Sequence, residues 1–184
     1  TFSGGRVLRE GARVVIAGSV NVGKSSLLNA LLRRERAIVT PIPGTTRDLI
    51  EEGLQIRGIP VTAIDTAGFR DTDDPVESVG LEMATDSIND ADIVLLVVDG
   101  SRLPMAEDLA PILQMRPGCC IVVINKIDIA VDNSIVEYSA LVKKHLGDVH
   151  IIPVSARNQM GIDELEDIIA NKLESSTSQE SVII

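Results

Sequence analysis

Apolar positions along the chain follow two alternating spacings. Short stretches at Arg13–Ala17, Ile50–Ile56, Val61–Ile64, Ile93–Asp99, Cys119–Ile124 and His150–Pro153 are rich in β-branched residues, and several are continuously apolar. That is the pattern of strands buried on both faces. Between them, Lys24–Arg33, Pro75–Asn89, Ala106–Met115, Ile135–Leu146 and Ile162–Leu173 carry apolar residues three or four apart, the spacing of helices with one buried face. Strands alternating with helices predict an α/β fold: a doubly wound, mostly parallel six-stranded sheet with helices on both faces. The stretch 48–65 departs from this rhythm. Two strands meet there at Arg57-Gly58 with no room for a helix, so they should pair as an antiparallel hairpin at a sheet edge.

Composition narrows the picture. A chain of 184 residues is enough for one domain with a substantial core. The 17 Lys+Arg against 27 Asp+Glu give a net charge of −10, and the aromatic residues are Phe2, Phe69 and Tyr138. Direct nucleic-acid binding usually needs a basic surface and often aromatic platforms, so it is not expected of this chain. The longest apolar runs, Ile93–Val98 and Cys119–Ile124, are far shorter than the ~20 residues that cross a bilayer. With no secretory signal in Thr1–Glu10, no membrane association and a cytoplasmic location are expected. Adjacent Cys119 and Cys120 lack zinc-site spacing and read as core residues. Ser175–Glu180 reads as a linker.

The first strand leads into Gly18-Ser19-Val20-Asn21-Val22-Gly23-Lys24-Ser25 and then a helical run, which is the P-loop pattern. Glycines allow the backbone to turn so that successive N–H groups converge on phosphate oxygens at a helix N-terminus. Lys24 would reach the β and γ phosphates, and Ser25 would offer its hydroxyl to Mg²⁺.

The base-reading end separates GTP from ATP. Asn125-Lys126-Ile127-Asp128 follows directly on an apolar strand, at the edge where α/β sheets bind ligands. Guanine presents two donors, its ring N–H and its amino group, that a single carboxylate such as Asp128 can accept, and adenine cannot supply that pair. Asn125 would tie the loop together and meet the base edge, while the Lys126 stem covers one face. Ser155-Ala156-Arg157, after the last strand, can offer backbone N–H groups to the guanine carbonyl.

Two more segments suit a γ-phosphate sensor. Asp65-Thr66-Ala67-Gly68 closes the hairpin's second strand, placing Asp65 to hold Mg²⁺ through water and the Gly68 N–H to touch phosphate. Gly44-Thr45-Thr46-Arg47-Asp48 lies in an aperiodic, proline-containing stretch, and one of its threonines can complete the metal shell. Ordering of such loops by the γ-phosphate is how GTPases switch. Phe69 stands where a water-orienting glutamine would follow this motif, so another group must position the attacking water.

Together with Leu8–Gly11, Arg36–Asp48 and Asp65–Gly80, these motifs resemble the G domain of the MnmE (TrmE) family of tRNA-modification GTPases, over about residues 8–173. The resemblance implies a Ras-like P-loop GTPase domain over 13–174, with a lead-in over 1–12 from an upstream domain and a linker over 175–184 before a helical one. It implies GTP and GDP bound by Asn21, Val22, Gly23, Lys24, Ser25 and Ser26, and by Thr40, Pro41, Ile42, Pro43, Gly44, Thr45 and Thr46. The contacts continue through Asp65, Thr66, Ala67 and Gly68, then Asn125, Lys126, Ile127 and Asp128, and finally Ser155, Ala156 and Arg157. Mg²⁺ would be held by Ser25, Thr46 and, through water, Asp65. A K⁺ ion held by Asn21, Thr40, Ile42 and Thr45 would take the place of an arginine finger, with Lys24, Thr46 and Glu77 catalytic. Glu77 would act on the attacking water through a second water. The implied partners are a second G domain in a homodimer, an MnmG (GidA)-type flavoprotein, and tRNA contacted through other domains.

Two alternatives stay open on the motifs: a ribosome-assembly GTPase of the Era or Der type, and a guanine-nucleotide switch without its own hydrolysis. The acidic surface would make two such domains repel, so association is expected to wait for bound cations.

Overall fold

The computed structural model describes residues 10–34, 50–66, 86–112 and 117–178. Its strands are β1 (Ala12–Ala17), β2 (Ile50–Ile56), β3 (Ile59–Asp65), β4 (Ile93–Asp99), β5 (Cys120–Asn125) and β6 (His150–Pro153), and its helices are α1 (Lys24–Arg34), α2 (Ser134–Leu146) and α3 (Ile162–Ser178). The strands form one six-stranded sheet in the order β2-β3-β1-β4-β5-β6. Every neighbouring pair is parallel except β2 with β3. That hairpin turns through Arg57 and Gly58, at φ 50° and 80°, with Ile56 opposite Ile59. Consecutive left-handed residues match the twist of the flanking strands.

Alternate residues of the central strands feed two separate cores. Val14, Ile16, Leu95, Val97, Ile121 and Val123 pack with Leu27 and Leu31 of α1 and Leu165, Ile169 and Leu173 of α3. Val15, Ala17, Val94, Leu96, Val98, Val122 and Ile124 pack on the opposite face with Leu109 and with Tyr138 and Val142 of α2. Burial on both faces is why these strands read as continuous apolar runs.

Three expectations are revised. The segment predicted as a helix over Ala106–Met115 is a 3₁₀ stretch over Ala106–Ile112. Pro111 has no N–H for the carbonyl four residues back, and Asp108, 1% exposed, is held by Arg102, the Met105 N–H and the Tyr138 hydroxyl. The last helix runs past Leu173 to Ser178, with the Ser175 and Ser176 hydroxyls donating to the carbonyls of Asn171 and Lys172. Of the cysteines, both free thiols, only Cys120 is a core residue; Cys119 sits half-buried in the 3₁₀ turn Pro117–Cys119. Burial pushes the Cys120 thiol up to about 12, which leaves it protonated and inert. Of the helix expected over Pro75–Asn89, only 86–89 lie among the described residues, and they are helical. No helix among the described residues is long and apolar enough to cross a membrane.

Candidate functional site

Those candidate residues that the structure describes gather where the parallel strands end. Ala17, Asp65, Asp99, Asn125 and Pro153 are the last residues of β1, β3, β4, β5 and β6. The chain leaves β1 for β3 on one side and later reaches β4 on the other, so the loop after Ala17 lies at the point where the winding of the sheet reverses. Crevices at such points are where open α/β sheets bind ligands.

The loop from Gly18 to Gly23 is fitted closely to its neighbours. A methyl group on Gly18 would collide with the Val97 carbonyl, and one on Gly23 with the Asn125 side-chain nitrogen. Gly23 has φ 98°, which disfavours any side chain. Its carbonyl accepts from the Leu27 N–H, opening α1. The Lys24 ammonium, nearly buried, donates to the carbonyls of Gly18 at 2.9 Å and Ser19 at 2.8 Å, so it lies inside the turn. Ser25 and Ser26, in the first turn of α1, are exposed. The Ser25 hydroxyl donates to Asp65 Oδ2 at 2.9 Å, and Thr66 Oγ1 donates to the Ile16 carbonyl at 2.9 Å, fixing the end of β3 against β1. A hydroxyl and a carboxylate converging at a P-loop are oxygen donors of the kind that suit Mg²⁺, directly or through water.

The second half of the site is built around Asn125, which is 2% exposed. Its Nδ2 donates to the Val22 carbonyl at 3.0 Å and its Oδ1 accepts the Ala156 N–H at 3.0 Å, so one side chain joins the P-loop, β5 and the loop after β6. Lys126 has φ 65° and donates to the Asn21 carbonyl at 2.6 Å. Ile127 donates its N–H to the Val154 carbonyl. Asp128 is exposed, with Oδ1 accepting the Ser155 hydroxyl at 2.6 Å. Ser155 is fully buried and bridges to Met160, while Arg157 is exposed.

Asp99 escaped the reading of the sequence. Its Oδ2 accepts Lys126 Nζ at 2.7 Å, and its Oδ1 accepts both the N–H and the hydroxyl of Ser101. Burial opposes its charge, but the bonds from Lys126 and Ser101 outweigh that and hold the carboxyl below its ordinary range. The available signal was an aspartate ending a continuous apolar strand and followed by Gly100. Thr40, Pro41, Ile42, Pro43, Gly44, Thr45, Thr46, Ala67, Gly68 and Glu77 lie outside the described residues.

A family model described as 50S ribosome-binding GTPase matches residues 13–126. The chain belongs to this GTPase family. It is 47% identical over 169 residues to the tRNA modification GTPase MnmE of Clostridioides difficile (strain 630), covering 92% of this chain and 36% of that protein. It is 50% identical over 168 residues to MnmE of Geotalea uraniireducens (strain Rf4), covering 91% and 35%. The chain thus spans about a third of the length of the curated relatives it matches. Among solved structures, translation elongation factor SelB of Methanococcus maripaludis, in complex with the GTP analogue GppNHp, matches with a TM-score of 0.67 at 23% identity, over 89% of this chain and 34% of that one. The G domain of the T. maritima FeoB iron transporter matches with a TM-score of 0.61 at 28% identity, over 88% and 98%. The GTPase is therefore a Ras-like P-loop domain with one antiparallel strand at its edge.

Proposed function

We propose that this chain is the GTP-binding and GTP-hydrolysing domain of an enzyme that modifies the wobble uridine of tRNA. The observation that carries the reading is the Asn125 side chain, which ties the phosphate loop at Val22 to the loop of Ala156 and sets Asp128 beside Ser155. In this reading the backbone N–H groups of 21–26 and the Lys24 ammonium hold the phosphates, and Asp128 accepts the two guanine donors. Ser25, Thr46 and Asp65 would hold Mg²⁺, which would supply positive charge against the phosphates. Asn21 is exposed on the P-loop, where its amide oxygen suits a hard monovalent cation. With Thr40, Ile42 and Thr45 it would hold K⁺, and Glu77 would orient the attacking water. Self-association of G domains, an MnmG-type flavoprotein and tRNA held by other domains complete the proposal. The tRNA assignment is supported by relatives named tRNA modification GTPase at 47–50% identity.

The test uses the full-length protein with its flavoprotein partner. Lys24→Ala should abolish GTP turnover and leave the wobble uridine unmodified, as read by mass spectrometry of digested tRNA. Normal modification without GTP turnover would overturn the assignment.

A further inference from the structure

A charged residue ending a buried strand either caps the turn that follows or serves a neighbouring loop. Asp99 divides its oxygens between the two. Oδ1 takes the Ser101 N–H and hydroxyl, whereas Oδ2 takes Lys126 Nζ at 2.7 Å. The register explains the reach, because Asp99 lies opposite Asn125, one residue before Lys126. The Asp99 and Lys126 side chains are 13% and 30% exposed, so solvent screens this pair less than an ordinary surface pair.

Lys126 needs that partner. Its backbone is left-handed, a costly conformation for a residue with a side chain, and its long stem has many rotamers to lose. The same ammonium donates to the carbonyl of Asn21, which is also left-handed at φ 63°. Adjacent residues of one loop thus grip adjacent residues of the other: Asn125 holds Val22 and Lys126 holds Asn21. The neutral grip is sterically fixed by burial. The charged one depends on a counter-charge to hold the ammonium in place.

We infer that Asp99 is a positioning residue for nucleotide retention, acting through Lys126 to lock the base-reading loop onto the P-loop at Asn21. The inference rests on the assignment of guanine to 125–128, and its test separates the two. Release of fluorescent GDP is followed from the wild-type chain and from Asp99→Asn, Asp99→Glu, Ser101→Ala, Lys126→Met and the Asp99→Asn/Lys126→Met double variant, with thermal melting of each nucleotide-free protein.

Removal of a hydrogen-bonded charge predicts release about ten-fold faster for Asp99→Asn. Asp99→Glu, which keeps the charge, should return the rate to within about three-fold of wild type, and Ser101→Ala should stay within about two-fold. In the Lys126→Met background, Asp99→Asn should add nothing, since the two act as a unit. Wild-type release by Asp99→Asn, a Ser101→Ala effect equal to that of Asp99→Asn, or additive effects in the double variant would each overturn the inference. Should Asp99→Asn fail to fold, Asp99→Glu against Ser101→Ala decides, with faster release from Asp99→Glu overturning it. Competition by GDP but not ADP in the wild type keeps the guanine assignment standing whatever Asp99 does; equal competition removes both.

Discussion

The side chain of Asn125 donates to the carbonyl oxygen of Val22, 103 residues earlier in the chain, at 3.0 Å. The same amide accepts the Ala156 N–H, so truncation leaves two backbone groups without their partner. Each buried polar group stranded in this way costs about 1–3 kcal/mol. Asn125→Ala should therefore lower stability by about 2–6 kcal/mol in urea titrations and weaken nucleotide binding in parallel. A variant as stable as wild type would show that the contact carries little.

The proposed guanine recognition by Asp128 predicts a change of base preference. Xanthine has an oxygen where guanine has its amino group, so the amide introduced by Asp128→Asn can donate where the carboxylate accepted. GTP should lose at least ~100-fold in kcat/KM, and XTP should gain. Equal use of GTP and XTP by both proteins would place the base elsewhere.

Cation and base chemistry are tested by turnover. Hydrolysis should be faster in K⁺ than in Na⁺ at matched ionic strength, and Glu77→Ala should reduce it about 100-fold. Equal rates in the two salts would remove K⁺ from the mechanism, and an unimpaired variant would remove Glu77.

Asp108 makes stability depend on pH from both ends. Burial opposes its charge, but Arg102, the Met105 N–H and the Tyr138 hydroxyl more than compensate, so its carboxyl lies below the ordinary 3.8. A depressed native value stabilises the fold above the unfolded value, and that stabilisation is lost as pH falls through the native one. Burial first, and then the bond to Asp108, raise the Tyr138 phenol above 10.0. Its contribution is complete below 10.0 and fades as pH rises beyond it. Asp108→Asn should cost about 2 kcal/mol at neutral pH by depriving Arg102 of its partner. It should also flatten the acid limb of stability against pH in urea midpoints, while the alkaline limb, caused mainly by burial, persists.

Much of the sheet was legible because Ile93–Val98 and Ile121–Ile124 are covered on both faces and so carry apolar residues at every position. The P-loop and the Asn125–Asp128 segment were legible because their chemistry is local in sequence. Asp99 was not, because its role arises from a strand pairing that sets it opposite Asn125. The segment after Ala106 had helical spacing, but spacing does not register that Asp108 is drawn into a buried cluster with Arg102 and Tyr138. The stretch 175–178 read as linker by composition, yet the Ser175 and Ser176 hydroxyls donate to carbonyls one turn back and the helix continues to Ser178.

The hairpin register has a geometric consequence for the segment that precedes it. Ile50 pairs with Asp65, which puts the start of β2 one strand spacing, about 5 Å, from the Asp65 backbone. Thr46 and Thr45 lie four and five residues upstream of that anchor, a reach of at most about 14–18 Å. If one of these threonines completes the metal shell as proposed, tether length alone would give it an effective concentration on the order of millimolar at Asp65. Such an approach would be intramolecular and would require no change in the pairing of β2 with β3.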